Sequence, residues 1–180
     1  GFCREGIRGY YETITDKLVV SDKSRGWLEY ADRLWAAYPE ARIVCMARDP
    51  EAIVGSLERI YQANAGHPET RSLPKTAAAR RDHWLHPDSV PLGLALRRIA
   101  DRQAKGQDSR IAYVRYGDLC AAPVEVMNAV FAHLQLPSFD IDPNNVVKAA
   151  AEDDSCFGIF GNHTVYPTVR NPHGPDQPLL

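Results

Sequence analysis

The chain has 180 residues, 44% of them hydrophobic and 24% charged, with a formal net charge of -2 at pH 7. This is the composition of an ordinary globular domain, able to bury roughly 70% of its unfolded surface. Near-neutrality excludes a global pull toward nucleic acid or an anionic membrane, so any anion binding must come from local clusters. No apolar run approaches the roughly 18 residues needed for a membrane span.

The elements are read in chain order. The opening Gly1-Phe2-Cys3-Arg4 lacks an initiator Met and has neither a basic nor an apolar leader region; a native start upstream of Gly1 is expected. Leu18 to Ser24 reads as a short buried strand ending in a polar loop. Trp27, Leu28, Ala31, Leu34, Trp35 and Tyr38 then fall at helical spacing, and Pro39 ends the pattern. Ile43 to Ala47 is a continuous apolar run, as expected of a strand covered on both faces. Asp49 suits an N-cap and Pro50 the first helical position. Ile53, Val54, Leu57, Ile60 and Tyr61 form the apolar stripe of the helix that follows.

Residues 64–91 hold Gly66, Pro68, Pro74, Pro87 and Pro91. They read as a mobile, lid-like insertion with a possible helix at 75–85, a common place for substrate specificity. Leu92 to Lys105 is a basic amphipathic helix, Arg110 to Tyr116 a second strand, and Gly117 to Pro123 a turn. Val124 to Leu134 is a helix, Pro143 to Glu152 a weaker one, and the tail from Ser155 has no regular structure. The expected architecture is α/β in a single domain over 1–180, a parallel sheet with helices on both faces.

In such sheets ligands sit at the carboxyl ends of the strands. Three polar sets fall there: Asp22-Lys23-Ser24-Arg25, Arg48-Asp49, and Arg115-Tyr116 with Asp118. Arg48 beside a helix N-terminus can hold phosphate oxygens through two parallel bonds, and Ser56, eight residues on, can add a hydroxyl donor. The alternative is that Arg48 pairs with Asp49 or Glu51 and that Ser56 is a small packing residue. Lys23 could neutralise a phosphate or a leaving group, or be a solvated lysine beside Asp22. Tyr116 could stack on a base or bond a phosphate, or be an edge-of-core tyrosine.

His83 and His86 are spaced for one helical face, but no acid completes a metal site. His163 lies in a Gly-flanked loop that could cover a nucleotide or be plain tail. Arg80-Arg81 and Arg97-Arg98 read as solvated helix faces. The four cysteines, Cys3, Cys45, Cys120 and Cys156, form no CxxC and no zinc spacing, so reduced thiols and a cytoplasmic setting are expected. GxSxG, HExxH and GxxxxGK[ST] do not occur.

Two long segments carry a resemblance: Val19 to Ile60, which includes "DKSRGW" and "ARDPEAIVGS", and "RIAYVRYGDLCAAPVEVMNAVFAHLQLP" from Arg110 to Pro137. Together they resemble the sulfotransferases that use 3′-phosphoadenosine 5′-phosphosulfate (PAPS), over about residues 10–140. The resemblance implies a three-layer, P-loop-NTPase-like fold and transfer of a sulfonate from PAPS to a hydroxyl or amine. The acceptor would be a small molecule, glycan or peptide, with residues 64–91 shaping its site and no metal taking part. Arg48 and Ser56 match the family's 3′-phosphate ligands, Tyr116 the tyrosine of a "YEDL" segment with Gly117 in place of glutamate, and Lys23 a lysine near the transferring sulfonate.

Two departures stand out. The family's 5′-phosphosulfate loop, of the "PRSGTT" type, has no counterpart in the chain, and Arg25 occupies the position of the cytosolic enzymes' histidine base. Asp22, Glu5 and Glu12 are the base candidates within the chain. The loop's absence leaves open a non-catalytic, sulfotransferase-like scaffold. A different nucleotide-dependent phosphotransferase is the other alternative.

Overall fold

The structure, a computed structural model, describes residues 1–106, 108–147, 158–161 and 166–169. Helix α1 (Phe2–Glu12) buries none of its residues. It touches the body through Tyr38, whose hydroxyl donates to the Arg4 carbonyl (2.7 Å) and whose ring lies under the Arg4 guanidinium. Helix α2 (Trp27–Ala37) leads to strand β1 (Ile43–Ala47). Four helices follow: α3 (Pro50–Ala63), α4 (Pro68–Arg71), α5 (Ala77–Leu85) and α6 (Gly93–Ala104). Strand β2 (Ile111–Arg115) then runs directly into α7 (Tyr116–Ala121), and α8 (Pro123–His133) follows.

β1 and β2 are parallel, in register from Ile43 opposite Ile111 to Ala47 opposite Arg115. Parallel neighbours cannot be joined by a tight turn, so the chain between them must cross over. Here the crossover is α3 to α6. Among the described residues the sheet has two strands. The fold is therefore α/β with a small parallel sheet, and the broad sheet of a three-layer architecture is not present among them.

The apolar stripes foreseen for α2 and α3 become two cores. On α2, Ala31 and Trp35 close over Ile43, with Leu28, Leu34 and Ile111 around them. Val54 and Leu57 of α3 meet Trp84 of α5 and Leu92, with Tyr61, Leu96 and Phe160 alongside. The Trp35 indole donates to the Ala41 carbonyl (2.9 Å), and the Arg110 guanidinium lies 3.8 Å over its ring. A buried tryptophan thus has both its N–H and its face satisfied.

Several expectations are corrected. Leu18 to Ser24 is not a strand: Leu18 is fully exposed, as is much of Val19 and Val20. A strand needs a neighbour's backbone, and here β1 and β2 pair with each other. The segment is fixed by Asp22 instead, whose carboxylate accepts from the Tyr11 hydroxyl (2.7 Å) and the Trp27 indole (2.8 Å). The turn expected at Gly117 to Pro123 is helix α7 and the first residue of α8.

Residues 64–91 hold α4 and α5 and reach the core through Trp84, while most of their side chains are exposed or half-buried. Pro68 occupies the first turn of α4, Thr76 caps α5 by accepting from the Ala79 N–H (3.2 Å), and Trp84 is 2% exposed. Proline placed at a helix start initiates rather than breaks it. The N-terminus of α6 packs so closely on the end of α5 that a Cβ at Gly93 would lie 1.9 Å from the His86 carbonyl oxygen. Residues 143 and 144 form a turn and 145–147 have no regular structure; the rest of the helix expected at 143–152 lies outside the described residues, as do Cys156 and His163.

Candidate functional site

The site grows from the register of two short strands. Because Ala47 pairs with Arg115, the residues after them, Arg48 and Tyr116, leave the sheet side by side. The Arg48 guanidinium carbon sits 4.6 Å from the Tyr116 ring centroid. Cation and ring quadrupole attract at that distance, and the contact restrains the arginine. Both side chains are half-buried.

Asp49 then turns the chain into α3, its carboxylate accepting the Ala52 N–H (3.0 Å), with Pro50 in the first turn. Ser56, half-buried, lies seven residues after Asp49. Two helical turns bring it back to the same face as the cap.

The electrostatics differ from the simple helix-dipole expectation. The α3 N-terminus carries its own anion, Asp49, and a second acid, Glu51, in the first turn. Glu51 is paired across to α5: Arg81 Nε donates to Glu51 Oε2 (3.0 Å) and Nη2 to Oε1. That hydrogen bond holds the Arg81 guanidinium above its ordinary value. The two carboxylates once weighed as Arg48 partners thus have other contacts, the Ala52 amide and Arg81. Beyond Tyr116, Arg115 approaches Asp118 at 4.0 Å, both exposed.

The structure brings Arg48 and Tyr116 together and sets Ser56 on the adjoining helix. It does not place Asp22 and Lys23 at a strand end, because Leu18 to Ser24 is not part of the sheet. Lys23 stands in the exposed stretch 21–25 before α2. Asp22 is engaged with Tyr11 and Trp27, and its hydrogen bond is the main reason the Tyr11 hydroxyl is pushed up to about 12. Of the other acids considered, Glu12 pairs with Arg8 and Glu5 is exposed on α1. His83 and His86 are exposed. Among the described residues no group of three or more His, Cys, Asp or Glu is arranged to hold a metal ion, and no helix is long and apolar enough to cross a membrane.

Of the arginines read as solvated helix faces, Arg81 and Arg97 are exposed, Arg98 is half-buried and Arg80 is buried. Arg80 is 2% exposed, locked to Glu58 and lying 3.8 Å over the Tyr61 ring. A signal existed, since Trp84, one turn along α5, marks the face on which Arg80 lies. Arg81 and Glu51 are thirty residues apart, and no local spacing announces their pairing.

A parallel β-α-β crossover whose strand ends present an arginine over a tyrosine, beside a serine-bearing helix, defines an α/β protein with a candidate site at the sheet's carboxyl edge. Comparison with protein families gives that class its identity. The model described as "Sulfotransferase family" matches residues 5–140, about three quarters of the chain and all of the site just described. The chain belongs to the sulfotransferase family, whose general chemistry is sulfonyl transfer. Neither a curated protein nor a solved structure matches it at a significant level.

Proposed function

We propose that the chain binds PAPS through Arg48, Ser56 and Tyr116 and transfers its sulfonate to a hydroxyl or amine acceptor. The observation that carries the reading is the Arg48–Tyr116 stack at the carboxyl ends of β1 and β2. The donor set fits the 3′-phosphate of PAPS: a guanidinium can offer two parallel N–H donors, and a serine hydroxyl lies on the next helix. PAPS supplies an activated sulfonate. The acceptor heteroatom bonds to sulfur as the sulfur–oxygen bond to the 5′-phosphate breaks, the acceptor proton passes to a base, and 3′,5′-adenosine bisphosphate leaves.

Anchoring the 3′-phosphate, remote from the reacting sulfur, uses binding to fix position. Lys23 is the proposed cation for the leaving charge, and Asp22 the base candidate that its hydrogen bonds to Tyr11 and Trp27 most restrict. In this reading the packed segment 64–91 walls the acceptor side.

Calorimetry with 3′,5′-adenosine bisphosphate tests the anchor. Charge-assisted bonds are worth about 1.5–3 kcal/mol each, so Arg48→Ala should weaken binding about tenfold or more. An affinity unchanged in that variant refutes the assignment.

A further inference from the structure

We infer that the Arg81–Glu51 ion pair sets the affinity of the candidate phosphate site, with Arg81 acting as a positioning and charge-compensating residue that never touches the ligand. The inference rests on the phosphate-site reading of Arg48. Its basis is the charge inventory at the start of α3. Arg48 ends β1, and within three residues two carboxylates follow, Asp49 and Glu51. Asp49 is committed to the cap, accepting the Ala52 N–H at 3.0 Å. Left alone, Glu51 would give this corner a net negative charge and repel any phosphate drawn to Arg48.

Arg81 prevents this. It reaches from α5 with two parallel bonds, Nε to Oε2 (3.0 Å) and Nη2 to Oε1. Glu51's side chain is 20% exposed and Arg81's 48%, so the pair is screened from water mainly on the acid's side. Its geometry is the bidentate fork that makes an arginine–carboxylate pair directional. The pair also joins α5, in the 64–91 segment, to the first turn of the helix that carries Ser56. The acceptor-side helix is therefore linked by charge to the donor-phosphate corner.

A purely structural role and an electrostatic one predict opposite signs for one substitution. If the pair only clamps α5 to α3, Glu51→Gln and Arg81→Ala both loosen the clamp and both weaken the site. If the pair compensates charge, Glu51→Gln removes an anion, leaves Arg81 as an unneutralised cation, and tightens binding. Arg81→Ala exposes Glu51 and weakens it.

The test uses the full chain and measures 3′,5′-adenosine bisphosphate affinity by calorimetry at two salt concentrations, with circular dichroism to show that each variant is folded. The expected result is roughly two- to fivefold tighter binding in Glu51→Gln and a similar weakening in Arg81→Ala, both shrinking at high salt. Weaker or unchanged binding in Glu51→Gln overturns the inference while leaving the site in place. A wild-type chain that binds no bisphosphate overturns the phosphate site itself, and this inference with it.

Discussion

Replacing Arg80 with methionine should weaken the packing of α5 on α3, because this arginine is the most heavily engaged buried charge among the described residues. Its Nε donates to Glu58 Oε2 at 2.8 Å, and Nη2 donates to the other carboxylate oxygen. Nη1 donates to the carbonyls of Pro74 (3.0 Å) and Lys75 (2.8 Å), and the guanidinium lies 3.8 Å over Tyr61. Methionine keeps most of the stem's packing and removes the charge, stranding one carboxylate and two carbonyls. Deleting one partner of a buried ion pair costs about 3–5 kcal/mol. Glu58 recovers part of that, since its side chain is 26% exposed and also accepts from Gln62 Nε2 (2.6 Å). The expected loss is therefore at or just below the lower end of that range, about 2–3 kcal/mol.

Urea denaturation followed by tryptophan fluorescence reads this directly, since Trp84 sits one turn along the same helix. The pH dependence gives a second check. The Arg80 hydrogen bond is the main reason Glu58 is held below its ordinary 4.5. A carboxylate lowered in the folded state contributes stability above its unfolded value and loses it as pH falls through the folded one. The wild-type advantage should hold at neutral pH and shrink below 4.5. A Met variant within about 0.5 kcal/mol of wild type at neutral pH, or a gap that persists in acid, would refute the reasoning.

Two further predictions concern other charged contacts. Asp32 is lowered to about 2, first by its hydrogen bond to Arg102 and then by Lys105. A carboxyl NMR titration should show its midpoint near that value, and Lys105→Ala should move it upward; a midpoint at the ordinary value of 3.8 would dissolve the network. Gly158 has φ +70°, and a Cβ there would lie 2.4 Å from both Glu69 carboxylate oxygens, which accept the Ile159 N–H. Gly158→Ala should cost about 1–2 kcal/mol and speed exchange of the Ile159 amide. Unaltered exchange would mean that Glu69 does not hold this segment.

How much of this could be read from sequence depends on how local each cause is. The Asp49-Pro50 start of α3, the β1 run and the amphipathic stripes of α2 and α6 rest on adjacent residues, and all are present. Leu18 to Val20 has the composition of a strand, but pairing is a property of a neighbour and not of the segment. The prolines of 64–91 do not all interrupt structure, since Pro68 stands at the start of α4. Arg80 looked solvated because charge was weighed above the face it shares with Trp84. In the candidate site, Arg48 and Tyr116 were each legible as strand-end residues. Their contact needed the register, and the neutralisation of Glu51 needed α5 folded back on α3.

The charge balance of this corner has a consequence for binding. Arg81 pairs with Glu51, Arg115 approaches Asp118, and Asp49 follows Arg48 as the cap of α3, so the formal charges of these six residues sum to zero before any ligand arrives. In a chain of net charge -2 there is then little long-range field to draw in an anion. Affinity must come from short-range, charge-assisted bonds, whose strength depends on angle and distance. That makes geometry the controlling variable, and the geometry traces back to the pairing of two five-residue strands. A slip of one residue between β1 and β2 would keep every charge in this region and still part Arg48 from Tyr116. The apolar residues of Ile43–Ala47 and Ile111–Arg115 are therefore as much a condition of the proposed phosphate site as the arginine itself.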